Sequence, residues 1–547
     1  MKFLKSVFVL VLFFTIIHVN VKGQSGYNPL LVNEVLEENI LTPPNLAKIE
    51  LEDSLNPFRY RVGVAMAYEE NLAKKELLQV GDHYLLREVI SIPTAKAIGV
   101  YFERFDLEEG QTLNIYNAKM ELVQGPYNQN LNEDGGSFAL PYVVGEKIIL
   151  EFSSQIKSSF DINIKELAYF YRGVPDASKG ARDFGDADAC QVNVNCSEGN
   201  GWENQRDATV KISVKDGGGF YWCTGTIMNN SNGGCKPYIL SADHCAENST
   251  SSDFGQFVFY FNYQGVDCNN PVSELAVNFK TLTGCSRLAQ SNSGGNTDSD
   301  FLLVELNDTI PKNFDVYYSG YDATSTIPNV GGVGIHHPDG DIKKISTFNG
   351  NVTTDSWGGV KQNSHFIVNW ISTANGFGVT EGGSSGSAIF NSEGLVIGTL
   401  TGGASICNNP GSATDYYGRM YMHWDRIGTS VDKRLDLWLD PAATDSTNNL
   451  RLSGTRRPCL ALPASVETKF VEKDIFKIYP NPANQQINFE VINSNISVKI
   501  FNSLGQLVTE KNQVSRGTFT FNLKPGTYIA EAYSEKGIQR EKFIILQ

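Results

Sequence analysis

Three side chains far apart in the sequence could together carry a hydroxyl-based acyl transfer. His244 follows the apolar run of KPYILSADHC, Asp300 opens that of TDSDFLLVEL, and Ser385 stands among the glycines of TEGGSSGSAIF. A hydroxyl is a poor nucleophile at neutral pH. It needs an imidazole to take its proton, and the imidazole needs a carboxylate to fix its tautomer and stabilise its charge. A developing oxyanion also needs two backbone N–H groups converging on one point, which calls for an unusual local backbone that glycine tolerates. Those two amides are assigned to Gly383 and Ser385. Taken singly, GGSSGS reads as a flexible loop and ADHC as a structural histidine beside a disulfide; their combination in this chain order points to chemistry.

The elements that must position these groups are short strands. From 190 to about 445, FVFYFNYQ, SDFLLVEL, HFIVNW and GLVIGTLTG alternate with Gly, Asn and Ser clusters. Near the end, DRIGTSVDKRLDLWLDP sets Ile427, Val431, Leu435 and Leu439 four apart before Pro441, which predicts one amphipathic closing helix. Upstream, KAIGVYFERFDL, KIILEFSS and FDINIKELAYFYRG read as a small β-sandwich, followed by a polar linker carrying Lys179 and Arg182 that a basic-specific protease could cut. Downstream, KIYPNPANQQINFEV, SVKIFNSLGQLV and GTYIAEAYSEKGIQREKFIILQ form another compact β-module.

With 547 residues, the chain has room for three or four domains at roughly 150 residues each. Its formal charge of −15 gives no electrostatic reason to bind nucleic acid or anionic lipid. Charged residues at 19% and aromatics at 11% exclude a disordered chain. Lys2 and Lys5 precede an apolar run from Val7 to about Val19 and a small-residue site near Gly23, which predicts a secretory signal peptide over 1–23. The run is shorter than the roughly 20 residues a spanning helix needs, so no membrane span is expected. Export makes the nine cysteines disulfide candidates, eight of them between 190 and 407. No CxxC pair or HExxH string suggests a metal site, and adjacent His336 and His337 would face opposite ways on a strand, so no metal is assigned.

Residues 190 to about 445 resemble the bacterial lysyl endopeptidases, a branch of the chymotrypsin-like double β-barrel serine proteases, in CTGTIMNN, YILSADHC, FYFNYQ with Cys268, SDFLLVELN, GIHHP, VTEGGSSGSAIF and TDYYGRMYMHWD. The resemblance implies His244 as general base, Asp300 as its orienting carboxylate and Ser385 as nucleophile, with no cofactor. It implies the disulfides Cys190–Cys407, Cys196–Cys268 and Cys223–Cys245; Cys235 and Cys285 lack counterparts and are taken to pair with each other, leaving Cys459 over. It places Asp415 at the base of the primary specificity pocket, where a desolvated carboxylate selects Lys or Arg. Trp357 matches a family tryptophan that narrows the pocket toward Lys, but the family's histidine position is Thr401 here, which leaves room for Arg beside Lys. Gly402 and Gly403 would offer a strand edge to an extended substrate backbone.

The flanks take roles by the same resemblance. Residues 24–182 look like a propeptide β-domain with its linker, 183–445 the trypsin-like protease domain, and 446–474 a linker. Residues 475–547 resemble the C-terminal sorting domain of the type IX secretion system, an address for the export machinery. The expectation is therefore a mainly β, secreted serine endopeptidase zymogen acting on protein or peptide substrates after Lys, with Arg beside it. The other reading, a catalytically silent protease-like surface protein that binds peptides, has no need of an intact trio.

Overall fold

A computed structural model describes residues 37–456 and 476–546, apart from the stretches 56–58, 133–134, 176–186, 292–297, 351, 359–360, 408–412, 443–449, 485, 492–495, 503–506, 516 and 535–536. The expected signal peptide, Lys179, Arg182 and Cys459 lie outside the described residues.

The fold is mainly β. Two sheets form the N-terminal sandwich. One orders the strands Glu38–Ile40, His83–Ser91, Lys147–Ser154, Gln111–Asn117 and Leu122–Tyr127; the other contains Arg61–Asn71, Asp161–Phe170 and Ala97–Asp106. Alternation along these strands turns Leu86, Ile90, Phe102, Leu113, Phe152 and Ile162 into one shared core.

Two barrels follow. In the first, Val258–Phe261, Thr209–Asp216, Gly219–Met228, Tyr238–Ser241, Leu302–Leu306 and Cys285–Gln290 pair in sequence, and Lys280–Thr283 runs on into Cys285–Gln290 to close the ring against Val258–Phe261. In the second, Lys344–Phe348, Gly332–His336, Ala388–Phe390, Val396–Gly403, Asp415–Arg419 and His365–Val368 pair in sequence, and a Phe348–Trp370 bridge joins the ends. Closure pairs most of the strand edges that an open sheet would leave bare. Barrel contacts run past residue 445, since Arg451–Leu452 pairs with Tyr321–Asp322.

The sandwich and the first barrel share a sheet. Arg61–Asn71 adds to the edge of Gly219–Met228 in the register Tyr221↔Arg61, Phe220↔Gly63 and Gly219↔Val64. Behind this seam Phe170 stacks on Trp222 at 5.8 Å, and Trp222 Nε1 donates to the Gly173 carbonyl at 2.6 Å. Lys211 is buried there against Trp222, 3.9 Å from its ring centroid, and burial lowers its pKa to about 7.

Two expectations need correcting. The single closing helix is three short pieces, Met420–Asp425, Val431–Lys433 and Asp436–Leu439. Leu435 and Leu439 are buried as the apolar spacing predicts, but Val431 is exposed and Gly428 packs on Lys433 where a helix would have to continue. The Cys235–Cys285 disulfide does not form: Cys285 is a free, buried thiol turned into the first barrel, where its Sγ lies 3.5 Å from the Phe254 carbonyl, and Cys235 is bonded elsewhere. The other three pairs, Cys190–Cys407, Cys196–Cys268 and Cys223–Cys245, are present.

The C-terminal module is a small sandwich of a three-stranded and a five-stranded sheet over Phe476, Phe489, Ile500 and Phe543. Among the described residues, no helix is long and apolar enough to cross a membrane.

Candidate active site

Strand register brings the histidine and aspartate together. Tyr238–Ser241 pairs antiparallel with Leu302–Leu306, Ser241 opposite Leu302, so the turn Asp243–Ala246 beyond one strand and Asp300 just before the other emerge at the same barrel end. The Cys223–Cys245 disulfide ties the histidine turn to the neighbouring strand. Asp300 takes a left-handed backbone, φ 57°, beside Asp298, whose Oδ1 accepts the Ser299 N–H at 2.7 Å. From there Asp300 Oδ2 meets His244 Nδ1 at 2.7 Å and Oδ1 accepts the His244 backbone N–H at 3.0 Å.

Asp300 is fully buried. Burial alone would raise its pKa, but the charge and hydrogen bonds of His244 and a hydrogen bond from Thr401 hold it below the ordinary carboxylate value. For His244, burial disfavours the imidazolium, and Asp300 outweighs it by charge and hydrogen bond, so its pKa lies above the ordinary value. Thr401 is itself 3.0 Å from the buried His365 Nε2, which extends the chain of contacts behind Asp300.

Ser385 lies in the turn leading into Ala388–Phe390. Gly383 and Gly386 have φ of 86° and 81°, and a Cβ on Gly386 would come within 2.1 Å of Ser241 Oγ, so both the bend and the close approach need glycine. Thr224 clamps this turn from the first barrel: its N–H donates to the Ser385 carbonyl at 2.8 Å and its Oγ1 to the Gly383 carbonyl at 2.9 Å. With those carbonyls tied back, neither the Gly383 nor the Ser385 amide donates to an acceptor among the described residues. His336 supports the turn from below, with Nδ1 2.8 Å from Ser384 Oγ and Nε2 2.9 Å from Ser346 Oγ, while His337 Nδ1 lies 3.0 Å from the Asp341 carbonyl.

His244, Gly383 and Ser385 face one cleft of about 500 Å³ between the barrels. No hydrogen bond joins His244 Nε2 to Ser385 Oγ in this structure. Trp357 and Thr401–Gly403 wall part of the cleft, the Trp357 ring standing against Gly402 and packing on Tyr416. Asp415 lies beneath that part, 0% exposed. Its Oδ2 accepts from Trp370 Nε1 at 2.6 Å, Thr380 Oγ1 at 2.8 Å and Ser405 Oγ at 2.6 Å. Burial raises its pKa, these hydrogen bonds opposing. Gly403 covers the carboxylate so closely that a Cβ there would sit 2.0 Å from Oδ1.

The cleft is also lined by residues the sequence did not signal, Arg59 and Tyr60 from the N-terminal region. Nothing in their spacing marks them, because only the seam between sandwich and barrel brings them there. Thr224 was within reach, since it stands in the CTGT string, but its clamping role needs the fold.

Residues 184–418 match the family described as lysyl endopeptidase, C-terminal domain, and residues 477–546 match the secretion system C-terminal sorting domain. The lysyl endopeptidase of Pseudomonas aeruginosa is 31% identical over 294 residues, which cover 51% of this chain and 59% of that protein, so the chain spans less than two thirds of this relative. A solved inactive mutant of Rv3671c from M. tuberculosis H37Rv matches over 39% of this chain and 82% of that one at 11% identity, with a TM-score of 0.25, a likeness too slight to carry an argument. The chain is thus lysyl endopeptidase-like over its two barrels and carries a type IX secretion C-terminal sorting domain, which indicates secretion or placement at the cell surface.

Proposed function

We propose that this chain is the precursor of a secreted serine endopeptidase that cleaves on the carboxyl side of Lys, with Arg admitted. The observation that carries the reading is His244, joined to the buried Asp300 at 2.7 Å and facing the same cleft as Ser385. Ser385 Oγ attacks the scissile carbonyl as His244 Nε2 takes its proton. The Gly383 and Ser385 amides hold the oxyanion, and Asp300 keeps the proton on Nδ1 and stabilises the imidazolium. Collapse of the tetrahedral intermediate expels the amine, which takes the proton from His244. Water then hydrolyses the acyl-enzyme by the same steps in reverse roles.

Asp415 is the specificity anchor in this reading. A carboxylate desolvated beneath Gly403 and the Trp357 wall favours a substrate ammonium or guanidinium over an uncharged side chain. Gly402 and Gly403 pair with the extended backbone on the acyl side. Residues 24–182 act as the propeptide, 183–445 as the protease and 475–547 as the address read by the export machinery.

A serine-directed fluorophosphonate followed by peptide mapping tests the proposal. An adduct on Ser385 that disappears in His244→Ala supports it; unmodified Ser385 in processed protein leaves a peptide-binding protein instead.

A further inference from the structure

Where Arg59 reaches the cleft, the first barrel presents a built site for a guanidinium. Asp216, at the end of Thr209–Asp216, is buried, its side chain 1% exposed, and it meets Arg59 Nη2 at 2.5 Å. Among the described residues neither Asp216 oxygen has another hydrogen-bond donor. The Arg59 guanidinium also lies over the Tyr221 ring, 4.0 Å from its centroid, and Nη2 donates to the Cys245 carbonyl at 3.1 Å. Buried carboxylate, aromatic face and carbonyl thus surround one planar cation, a set that suits a guanidinium better than an ammonium.

None of the three belongs to the N-terminal region. Asp216, Tyr221 and Cys245 all stand on the first barrel, and Arg59 reaches them from outside it. Were the sandwich removed, Asp216 would be left as an uncompensated charge with no partner of its own, a costly state that any suitable cation relieves. The same departure would bare the strand edge Gly219–Tyr221, which Arg61–Val64 now occupies.

The position of this site fixes which part of a substrate would fill it. Trp357 and Gly402–Gly403 line the cleft together with Ser385, His244 and Arg59, and Arg59 is held on the His244 side through the carbonyl of the next residue, Cys245. With acyl-side residues on Gly402–Gly403, the leaving-group residues run past His244 and Cys245 toward Asp216. Tyr60, seated against Gly382, continues the same track beside the Ser385 turn.

We infer that Asp216, Tyr221 and the Cys245 carbonyl form a subsite for an arginine on the leaving-group side of a peptide substrate, and that Arg59 fills it as a stand-in in the precursor. This rests on the reading of the cleft as a protease site for the direction of the peptide, but the binding chemistry is independent of catalysis.

Peptide binding to the full chain tests it. The probes are dye-labelled heptapeptides with Lys at the third position and Arg, citrulline or Lys at each of the next three, read by fluorescence anisotropy. The host is the Ser385→Ala chain, with and without Arg59→Ala/Tyr60→Ala to clear the track, and with Arg59→Gln as a milder second opening should the double change unfold the chain. The cleared chain is expected to bind one arginine peptide at least about 10-fold more tightly than its citrulline twin, the advantage vanishing with Asp216→Asn and absent while Arg59 is in place. Equal affinities in the cleared chain, no binding of any probe, or an advantage that survives Asp216→Asn overturns the subsite; a lysine peptide that equals the arginine peptide overturns its guanidinium character. Arginine-selective binding by the cleared Ser385→Ala chain, together with no fluorophosphonate adduct on Ser385 of the processed wild-type protein, would keep the subsite and remove the protease reading.

Discussion

Asp300 grips His244 twice, through Nδ1 at 2.7 Å and through the backbone N–H at 3.0 Å, so the carboxylate fixes both the ring and the turn that carries it. The two contacts can be separated. Asp300→Asn keeps an oxygen for the backbone N–H but removes the charge that favours a protonated ring. The expected result is a folded chain by circular dichroism with kcat lower by about 10⁴-fold on a lysine ester, the loss seen when this tautomer control fails elsewhere.

The same pair sets a pH profile. Because the folded pKa of His244 lies above 6.5, the acid limb of kcat/KM should have its midpoint above 6.5. Arg59 opposes the imidazolium by charge, so Arg59→Ala should move that midpoint further up. For stability, the raised His244 contributes below 6.5 and loses its contribution as pH rises through its folded value, while the lowered Asp300 contributes above 3.8 and loses it as pH falls through its own. The unfolding midpoint of the wild-type chain minus that of Asp300→Asn should therefore be largest between 3.8 and 6.5.

Gly386→Ala should damage both fold and site. Its Cβ would meet Ser241 Oγ at 2.1 Å and the Thr224 carbonyl at 2.6 Å on a backbone with φ 81°. A loss of about 2 kcal/mol or more in urea unfolding is expected, together with slower fluorophosphonate labelling of Ser385. Wild-type stability and labelling would show that the turn has room the structure does not give it.

Asp415→Asn keeps the shape beneath Gly403 and removes the charge. Cleavage after Lys and Arg should fall about 100-fold or more in kcat/KM, with less effect on an uncharged side chain at the same position. An equal loss on all substrates would make Asp415 a packing residue.

Lys211 offers a test of the seam. It is enclosed by the rings of Trp222, Tyr263, Tyr142 and Tyr260, with Glu274 and Asp341 as the nearby charges, and its folded pKa is about 7. A lowered lysine binds fewer protons folded than unfolded between about 7 and 10.5, so stability should rise with pH across that window. Lys211→Met should flatten the rise in the thermal unfolding midpoint.

Much of this was legible in the sequence because it is local or repetitive. Alternation showed the short strands, the resemblance implied their two barrels, and the strings around His244, Asp300 and Ser385 carried the trio. What escaped was long-range or a matter of competition. Arg59 and Asp216 are distant in sequence and meet only through the shared sheet. Cys285 lost its expected partner because its side chain points into a core that its spacing does not reveal. The closing helix failed because apolar spacing ran across Gly428-Thr429-Ser430, where turn chemistry prevailed over period. Thr401, placed beside the substrate by resemblance, also serves Asp300 and His365.

The proteolytic role of Ser385 and the charge preference of the Asp415 pocket are tested together by the new carboxyl termini released when the processed chain digests a denatured protein mixture, read by mass spectrometry. Termini at Lys, with Arg second, and none from Ser385→Ala are expected. Termini spread over uncharged residues, or the same cuts from Ser385→Ala, would contradict these assignments.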